Sequence, residues 1–236
     1  MASQWDLISD VVPDDEARQV NEADYIERVV GPLAAGSIVL DLGCGEGKAQ
    51  RSVNRVNPAV VWMGIDLPSS PEVDGRTSRR DRLVTFDGVE LPFRTSSIDC
   101  ILSMQVLEHV RHPEPLLREV ARVLKPGAPF AGTTSNLEPY HSFSLWNFTP
   151  YGFVTIARDA GLDVVELRPG IDGPTLIERQ ILGRPREMSK YFGSTSPRND
   201  EFLDWGRATR RRPALVNNRM LQFSGHFGFL TRGPRT

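Results

Sequence analysis

The chain of 236 residues has the length of one domain, and its 28 Lys and Arg against 30 Asp and Glu residues disfavour a whole-chain binder of polyanions. A hydrophobic content of 39% argues against wholesale disorder. The two cysteines, Cys44 and Cys100, cannot build a disulfide framework, which predicts a reduced, cytoplasmic protein. No segment has the roughly 20 consecutive apolar residues of a membrane span, and the first residues lack a signal-peptide pattern.

The first predicted element is a helix from Asp14 to Val30, with acidic residues at its start and Gly31-Pro32 at its end. Two short apolar runs follow, Ile38 to Leu42 and Ala59 to Asp66, and a helix over residues 48–57 separates them. This strand–helix–strand order is typical of a parallel sheet with crossover helices.

The rest of the chain continues the alternation. The remaining predicted elements are strands at 83–86 and 98–104, a helix at 113–124, a strand at 128–135, a helix at 150–160, and strands at 162–168 and 224–233. Near-continuous apolar strands predict an α/β fold whose sheet is buried on both faces. We interpret residues 1–236 as a single domain, with an N-terminal helical arm over 1–32 and an insertion at about 170–220.

The most informative segment, from Val39 to Gly47, reads VLDLGCGEG, a strand that enters a glycine-rich turn. Its pattern is G-x-G-x-G, whereas a dinucleotide-binding loop has G-x-G-x-x-G. The carboxylates of Asp41 and Glu46 would repel a pyrophosphate but would tolerate a cation, such as a sulfonium with an amino-acid tail. Asp66 ends the second strand 19 residues beyond Gly47, where an acidic residue can bind ribose hydroxyls.

Five motifs in order resemble the class I S-adenosylmethionine-dependent methyltransferases, specifically their bacterial branch that modifies small molecules and glycans. The motifs are VLDLGCGEG, GIDLP, VTFDGVELPF, IDCILSMQVLEHV and EVARVLKPGAPF. The resemblance covers roughly residues 25–168. It implies a Rossmann-like, doubly wound seven-stranded sheet with order 3-2-1-4-5-7-6 and strand 7 antiparallel, and it implies S-adenosylmethionine as the cofactor.

The resemblance also implies which residues hold the cofactor. Asp66 would bind the ribose diol, and Asp87 would bind the adenine amino group. Asp41 would order the glycine loop and the amino group of the methionine tail. Asp41 could instead be a structural carboxylate, and Asp87 an ordinary turn residue. The residues expected to contact the cofactor are Asp41, Gly43, Cys44, Gly45, Gly47, Asp66, Leu67, Asp87, Gly88, Ser103, Met104 and Gln105.

Histidine is the side chain best suited to act as a general base near neutral pH. His141 lies just past the fifth strand, where loops build the acceptor pocket in this architecture, and His109 lies in LEHV after the fourth strand. We predict both as catalytic, against the alternatives of a capping role for His141 and a packing role for His109. We interpret His112 as a turn residue and His226 as structural.

The segment around His141 is rich in aromatic residues, of which Tyr140, Trp146 and Tyr151 are the predicted acceptor pocket. The alternative is ordinary packing of a long loop over the sheet. The Cys and His spacing matches no zinc site, and no run of carboxylates follows the fourth strand, so no metal is predicted.

The insertion carries a local charge that the whole-chain average hides. Residues 168–219 hold eleven Lys and Arg against six acidic residues, a net charge of +5, which leaves −7 for the rest of the chain. This charge is typical of a surface for an anionic acceptor or RNA, but also of a solvated helical elaboration or a dimer contact.

These observations predict a methyltransferase that modifies a hydroxyl of a small-molecule or glycan-like acceptor in biosynthesis. The alternatives are an RNA or protein methyltransferase that uses the basic insertion, and a non-catalytic cofactor-binding protein. Nucleic acid is the less favoured acceptor, because the fourth strand is followed by SMQV rather than by an amide motif of the Asn-Pro-Pro-Tyr type. The glycine spacing disfavours a nicotinamide-dependent oxidoreductase.

Overall fold

The computed structural model of the protein describes residues 4–69, 71–74 and 83–235, with a seven-stranded sheet at its centre. The strands are Ile38–Leu42 (β1), Val61–Asp66 (β2), Leu83–Thr85 (β3), Cys100–Met104 (β4), Pro129–Ser135 (β5), Asp163–Pro169 (β6) and His226–Arg232 (β7). Their order is 3-2-1-4-5-7-6, and β7 runs antiparallel to both neighbours. The predicted Rossmann-like fold is therefore confirmed.

Helices cover both faces of this sheet. They are Gln4–Ile8 (α1), Glu22–Val30 (α2), Ala49–Val56 (α3), Pro71–Asp74 (α4), Pro113–Val123 (α5), Pro150–Asp159 (α6), Gly173–Ile181 (α7), Pro197–Ala208 (α8) and Pro213–Gln222 (α9), with 3-10 turns at Leu107–His109 and Arg186–Phe192. Within the described ranges, no helix is both long enough and apolar enough to cross a membrane.

Alternate residues of the strands belong to two different hydrophobic cores. Val39 of β1 packs in the same core as Val53 of α3, whereas Leu40 packs in the same core as Leu117 of α5 and Phe153 of α6. The division arises because successive side chains of a strand point to opposite faces. Each such buried side chain contributes about 1.5–3 kcal/mol by leaving water.

The predicted helix from Asp14 to Val30 is shorter in the structure. It begins at Glu22, because the side chain of Asn21 accepts a hydrogen bond from the N–H of Ala23 and forms a capping box with Asp24. Such a box satisfies N–H groups that have no partner inside the helix, so it sets the helix start at this position.

The acidic residues that suggested an earlier helix start instead hold an extended arm. Asp14 accepts a hydrogen bond from Arg212 at 2.5 Å, and Asp15 accepts one from Arg168 at 2.6 Å. The Arg168 side chain is almost fully buried, and such a charge needs a partner. Residues 1–3 of the predicted arm lie outside the described residues.

The insertion, for which the sequence shows no clear periodicity, folds into α7, α8 and α9. Its buried faces are partly polar: α8 buries Asn199 and Gly206, and α9 buries Asn217 and Asn218 beside its apolar residues. A helix whose inner face contains Asn and Gly lacks the apolar stripe on which periodicity arguments depend.

The carboxyl ends of β1, β2, β4 and β5 meet at one edge of the sheet, because these strands pair in parallel. Since β7 is antiparallel, its first residue, His226, pairs with Ser135 at the end of β5 and reaches the same edge. Ligands of open α/β sheets bind at this edge.

Candidate active site

The glycine-rich loop after β1 has a backbone that glycine adopts without strain. Gly43, Gly45 and Gly47 have φ values of 70°, 47° and 73°. A Cβ atom at Gly43 would lie 2.5 Å from both Cγ atoms of Val106, in the loop after β4. The first glycine is therefore needed both for its φ angle and for the close approach of the two loops.

The N–H groups of this loop are bonded to protein oxygens. Gly43 and Cys44 donate to the carbonyl of Ile65 at 2.8 and 3.2 Å, and Gly45 donates to Oδ2 of Asp66 at 2.7 Å. A pyrophosphate-binding loop instead directs such groups at its ligand. These three donors are engaged within the protein, which agrees with the glycine spacing in disfavouring a dinucleotide.

Two acidic residues lie at the carboxyl ends of β1 and β2. Asp41 is only 3% exposed, and Nε1 of Trp62 donates to its Oδ2 at 3.3 Å. Burial raises the pKa of Asp41 to about 7; the Trp62 hydrogen bond opposes this rise and the nearby Asp66 adds to it. A carboxyl group in these surroundings is one that a bound cation would stabilise in its charged form.

The residues predicted for the adenine side lie next to each other. Gly88 has a φ of 91°, and a Cβ atom there would lie 3.2 Å from Cδ2 of Leu67. Oδ1 of Asp87 accepts hydrogen bonds from the N–H groups of Val89 and Glu90, and these bonds lower the pKa of Asp87. Asp87 therefore has a turn role, and a contact with adenine would use its other oxygen.

At the end of β4 the three predicted cofactor residues differ in their surroundings. Ser103 is fully buried, and no described group hydrogen-bonds its Oγ, whereas Met104 is half-buried. Gln105 has a φ of 56°, and its amide, when oriented to satisfy both of its groups, donates to Oε1 of Glu108 at 2.8 Å. Its side chain is thus engaged beside the histidines, and its backbone N–H donates to the carbonyl of Thr133 at 3.0 Å, so its contact with the cofactor stays a prediction.

His141 lies beside the partly buried carboxylate of Glu138. Its Nδ1 atom is 3.4 Å from Oε1 of Glu138, while Oε2 of Glu138 is 2.7 Å from Nε2 of His226 and accepts a hydrogen bond from Ser135. Burial opposes ionisation of Glu138, but the hydrogen bonds and the histidine charges prevail, so its pKa is lowered. His226, predicted to be structural, is therefore joined to His141 through one carboxylate.

His109 faces His141, with ring centroids 5.1 Å apart and planes nearly perpendicular. Glu108 lies next to them, fully buried; it accepts a hydrogen bond from the hydroxyl of Thr134 at 3.0 Å, and its Oε1 lies 3.2 Å from Oγ of Ser135. Burial raises the pKa of Glu108 to about 7. The two predicted catalytic histidines thus lie together at the edge of the sheet.

Glu108, His109 and His141 also bring metal-ligand atoms together, one from each residue, within 4.8 Å of one another. Two imidazoles and a carboxylate are ligands that Zn²⁺ or Fe²⁺ accepts. The sequence predicts no metal, because the Cys and His spacing matches no zinc site; His141 comes close to Glu108 and His109 only in the folded chain. A test of function therefore includes the removal of divalent cations.

The aromatic residues predicted as the acceptor pocket lie at the surface. Tyr140 is 85% exposed, Trp146 47% and Tyr151 44%. Nε1 of Trp146 donates to the carbonyl of Val110 at 2.8 Å, which ties the aromatic loop to the segment after His109. Their contact with an acceptor stays a prediction.

A cavity of about 160 Å³ lies beside His141, between the loop after β5 and the insertion. The polar side chains that line it are Glu138, His141, Arg179, Gln180 and Arg184. Tyr140, Trp146 and Tyr151 are not among its lining residues. The basic wall comes from α7 and the turn after it, which are parts of the insertion.

Sequence reasoning missed Glu108, Glu138 and His226. The available signals were local and topological: Glu108 precedes His109, and Glu138 lies three residues before His141. His226 begins the strand that the family resemblance implies to be antiparallel, and this direction alone places it at the carboxyl edge of its neighbours.

Similarity to known proteins shows the family of this chain. Residues 40–131 match a family model described as a methyltransferase domain. The ubiquinone biosynthesis O-methyltransferase of Hahella chejuensis is 33% identical over 228 residues, which cover 83% of this chain and 90% of that protein. The chain belongs to the class I S-adenosylmethionine-dependent methyltransferases. Its cofactor is S-adenosylmethionine.

This methyltransferase is also similar to the 27-O-demethylrifamycin SV methyltransferase of Amycolatopsis mediterranei, with 33% identity over 130 residues, 50% of this chain and 47% of that protein. The chain spans less than half the length of several curated relatives that it matches. Phosphoethanolamine N-methyltransferase 2 of Haemonchus contortus, solved with S-adenosyl-L-methionine, shares the fold, with a TM-score of 0.57, 19% identity, and coverage of 90% of this chain and 52% of that one.

Proposed function

We propose that this methyltransferase transfers a methyl group to a hydroxyl of a small-molecule or glycan-like acceptor. The observation that carries the proposal is the pairing of His141 with the partly buried Glu138 at the carboxyl edge of the sheet. A hydroxyl must lose its proton as the new bond forms, so it benefits from a base, whereas an amine that arrives deprotonated does not. The O-methyltransferase name of one relative supports the same acceptor class.

For the cofactor, we place the ribose beside Asp66, the adenine against Leu67 and Gly88, and the amino-acid tail toward Asp41. The left-handed glycines of the loop after β1 support this placement, because they leave no side chain between the backbone and a ligand. S-adenosylmethionine supplies the activated methyl group. The protein positions the acceptor and removes its proton.

The placement of the amino-acid tail predicts a pH-dependent affinity. Below about pH 7 the carboxyl of Asp41 is protonated, so binding a cation beside it requires that the proton leave. We expect the affinity for S-adenosylmethionine to fall about tenfold per pH unit below 7 and to level off above it. Calorimetric titration between pH 5.5 and 8 measures this affinity. Asp41→Asn should bind S-adenosylmethionine more weakly, and its affinity should depend less on pH. Equal slopes for the two proteins would contradict the placement.

His141 is the proposed base. Its Nε2 atom takes the proton of the acceptor hydroxyl, while its Nδ1 atom faces Oε1 of Glu138. The carboxylate holds the ring in place and stabilises the positive charge that the imidazole gains. His109, whose ring lies edge-on to His141, forms the adjacent part of the acceptor site.

The test of function begins with tritiated methyl transfer from S-adenosylmethionine into cell-extract fractions that contain sugars, lipids, RNA or protein. Once the acceptor is identified, kcat can be measured on it. We expect His141→Ala to lower kcat by about 10²–10⁴-fold, the usual contribution of a general base, and to leave cofactor affinity unchanged. His112→Ala, at the exposed start of α5, is the matched control and should keep full activity.

Unchanged turnover of His141→Ala on the true acceptor would remove His141 as the base, and a product methylated on nitrogen would remove the hydroxyl assignment. Full activity is expected after treatment with EDTA. A loss that a divalent cation restores would instead assign activation of the hydroxyl to an ion held by Glu108, His109 and His141.

The alternative of RNA methylation predicts a broad positive surface beside the site. Three arginines of the insertion are neutralised by carboxylates, in the ion pairs Arg198–Glu201, Arg207–Asp204 and Arg212–Asp14. This pairing reduces the field that RNA would encounter and supports the small-acceptor proposal. Methyl transfer into the RNA fraction would favour the alternative.

A further inference from the structure

The cavity beside His141 has one basic wall, whose charges form no ion pair with any described residue. Arg179 and Arg184 line it from the end of α7 and the turn that follows. Among the described residues, neither arginine forms an ion pair, although the insertion's Arg198, Arg207 and Arg212 all do. The positive charge of the insertion is therefore not compensated by an ion pair between described residues where the insertion faces the proposed base.

The contacts of the two arginines hold them in place without neutralising them. Nε of Arg184 donates to the neutral Oε1 of Gln180 at 2.8 Å. The guanidinium carbon of Arg179 lies 5.3 Å from the ring centroid of Phe192, and its buried Nε has no hydrogen-bond partner in the described part of the chain. A buried N–H without an acceptor is costly, so this group is suited to a ligand that supplies one.

The opposite wall does not cancel this charge. Glu138 is the acidic residue of the lining, and its carboxylate already accepts a hydrogen bond from Ser135 and pairs with His226 and His141. Two guanidinium groups thus face a single carboxylate that is occupied by other partners. An anionic group would be attracted to the Arg179 side of the cavity and kept away from Glu138.

We propose that the acceptor carries an anionic group, a carboxylate or a phosphate, that binds Arg179 and Arg184 while its hydroxyl lies at His141. Guanidinium groups bind these planar or tetrahedral oxyanions through paired, charge-assisted hydrogen bonds. A cavity of about 150 Å³ admits a benzene ring, so the 160 Å³ beside His141 suits the charged end of an acceptor. This inference rests on the proposed function and narrows its substrate class.

The experiment uses the full chain saturated with S-adenosylhomocysteine and titrated with benzoate, benzamide or inorganic phosphate at constant ionic strength. We expect benzoate, phosphate or both to bind, and Arg179→Gln and Arg184→Gln each to weaken that binding at least fivefold. Arg207→Gln, at an exposed position of α8 and paired with Asp204, is the matched control and should bind as the wild type does. Benzamide, the neutral analogue of benzoate, should bind more weakly than benzoate and equally to all variants.

The two charged probes separate the sources of the anion. Binding of benzoate alone indicates a carboxylate on the acceptor, and binding of phosphate indicates a phosphorylated one. Absence of binding by both, or equal binding to the wild type and to Arg179→Gln, overturns the inference. Because this assay involves no turnover, the proposed base can fail in the His141→Ala experiment while the anion site stands, and the reverse also holds.

Once the acceptor is known, a kinetic split gives an independent check. The two arginine variants should raise the KM of the acceptor at least tenfold and leave kcat within about twofold, because they bind the acceptor and do not move its proton. An equal fall in kcat at unchanged KM would contradict a binding role.

Discussion

Replacement of Gly43 by alanine should weaken binding of S-adenosylhomocysteine by about 100-fold or more, because left-handed strain costs about 1–2 kcal/mol and overpacking about 1–3 kcal/mol. The φ of 70° disfavours any side chain, and the new Cβ would lie 2.5 Å from both Cγ atoms of Val106. To relieve that contact, the loop after β1 must move away from the loop after β4, and these loops form two sides of the proposed cofactor site. Isothermal titration of the folded variant measures the effect.

Gly36 provides a matched control for the strain alone. Its φ is 79°, but a Cβ there would meet nothing within 4 Å. Gly36→Ala should therefore lose about 1–2 kcal/mol of stability, the usual cost of a left-handed residue, with unchanged cofactor affinity. The double variant Gly43→Ala/Val106→Ala opens the crowded space and should recover part of the affinity. Wild-type affinity in Gly43→Ala would show that the loop does not contact the cofactor.

Replacement of Glu138 by glutamine should lower kcat by about 100-fold or more, since a neutral amide cannot stabilise the imidazolium that a histidine base forms. The residue acts through His141, from which it is 3.4 Å away, so it is a positioning residue. Cofactor affinity and the melting temperature should change little, because glutamine has nearly the same shape. Steady-state kinetics and calorimetry measure these quantities.

A dependence on acceptor acidity separates this role from a purely structural one. The loss in Glu138→Gln should shrink for acceptors whose hydroxyl has a lower pKa, because such hydroxyls need less help from a base. Glu114→Gln, at the exposed start of α5, is the control and should keep full activity. A loss that is equal across acceptors would mean that Glu138 supports the fold of the loop and not the proton transfer.

The backbone geometry of the proposed cofactor half of the site was largely predictable from consecutive residues. The left-handed backbone after β1 needs glycine at Gly43, Gly45 and Gly47, and this requirement is visible in the sequence as an alternating pattern. The acidic ends of β1 and β2 likewise follow directly from short apolar runs. The start of α2 was predicted wrongly, at Asp14 instead of Glu22. The error arose because acidic residues are typical of a helix start, whereas Asp14 and Asp15 form ion pairs with Arg212 and Arg168.

The proposed acceptor half was harder to predict because its residues are distant in the chain. His141 was singled out by its place after the fifth strand, but its partner Glu138 also pairs with His226, 88 residues further along. The helices of the insertion were missed because their buried faces include Asn199, Asn217 and Asn218. Without an apolar stripe, periodicity does not show which side of such a helix faces inward.

The sequence by itself determined the sheet, the family and the cofactor, because these depend on local rules: buried strands, glycines at fixed spacing and acidic residues at strand ends. Only the tertiary structure decided how the acceptor side is built. His226 lies near His141 because β7 runs antiparallel beside β5. Arg179 lines the cavity beside His141 because the insertion packs against the loop after β5. Such contacts arise from long-range packing, which residue patterns along the chain do not specify.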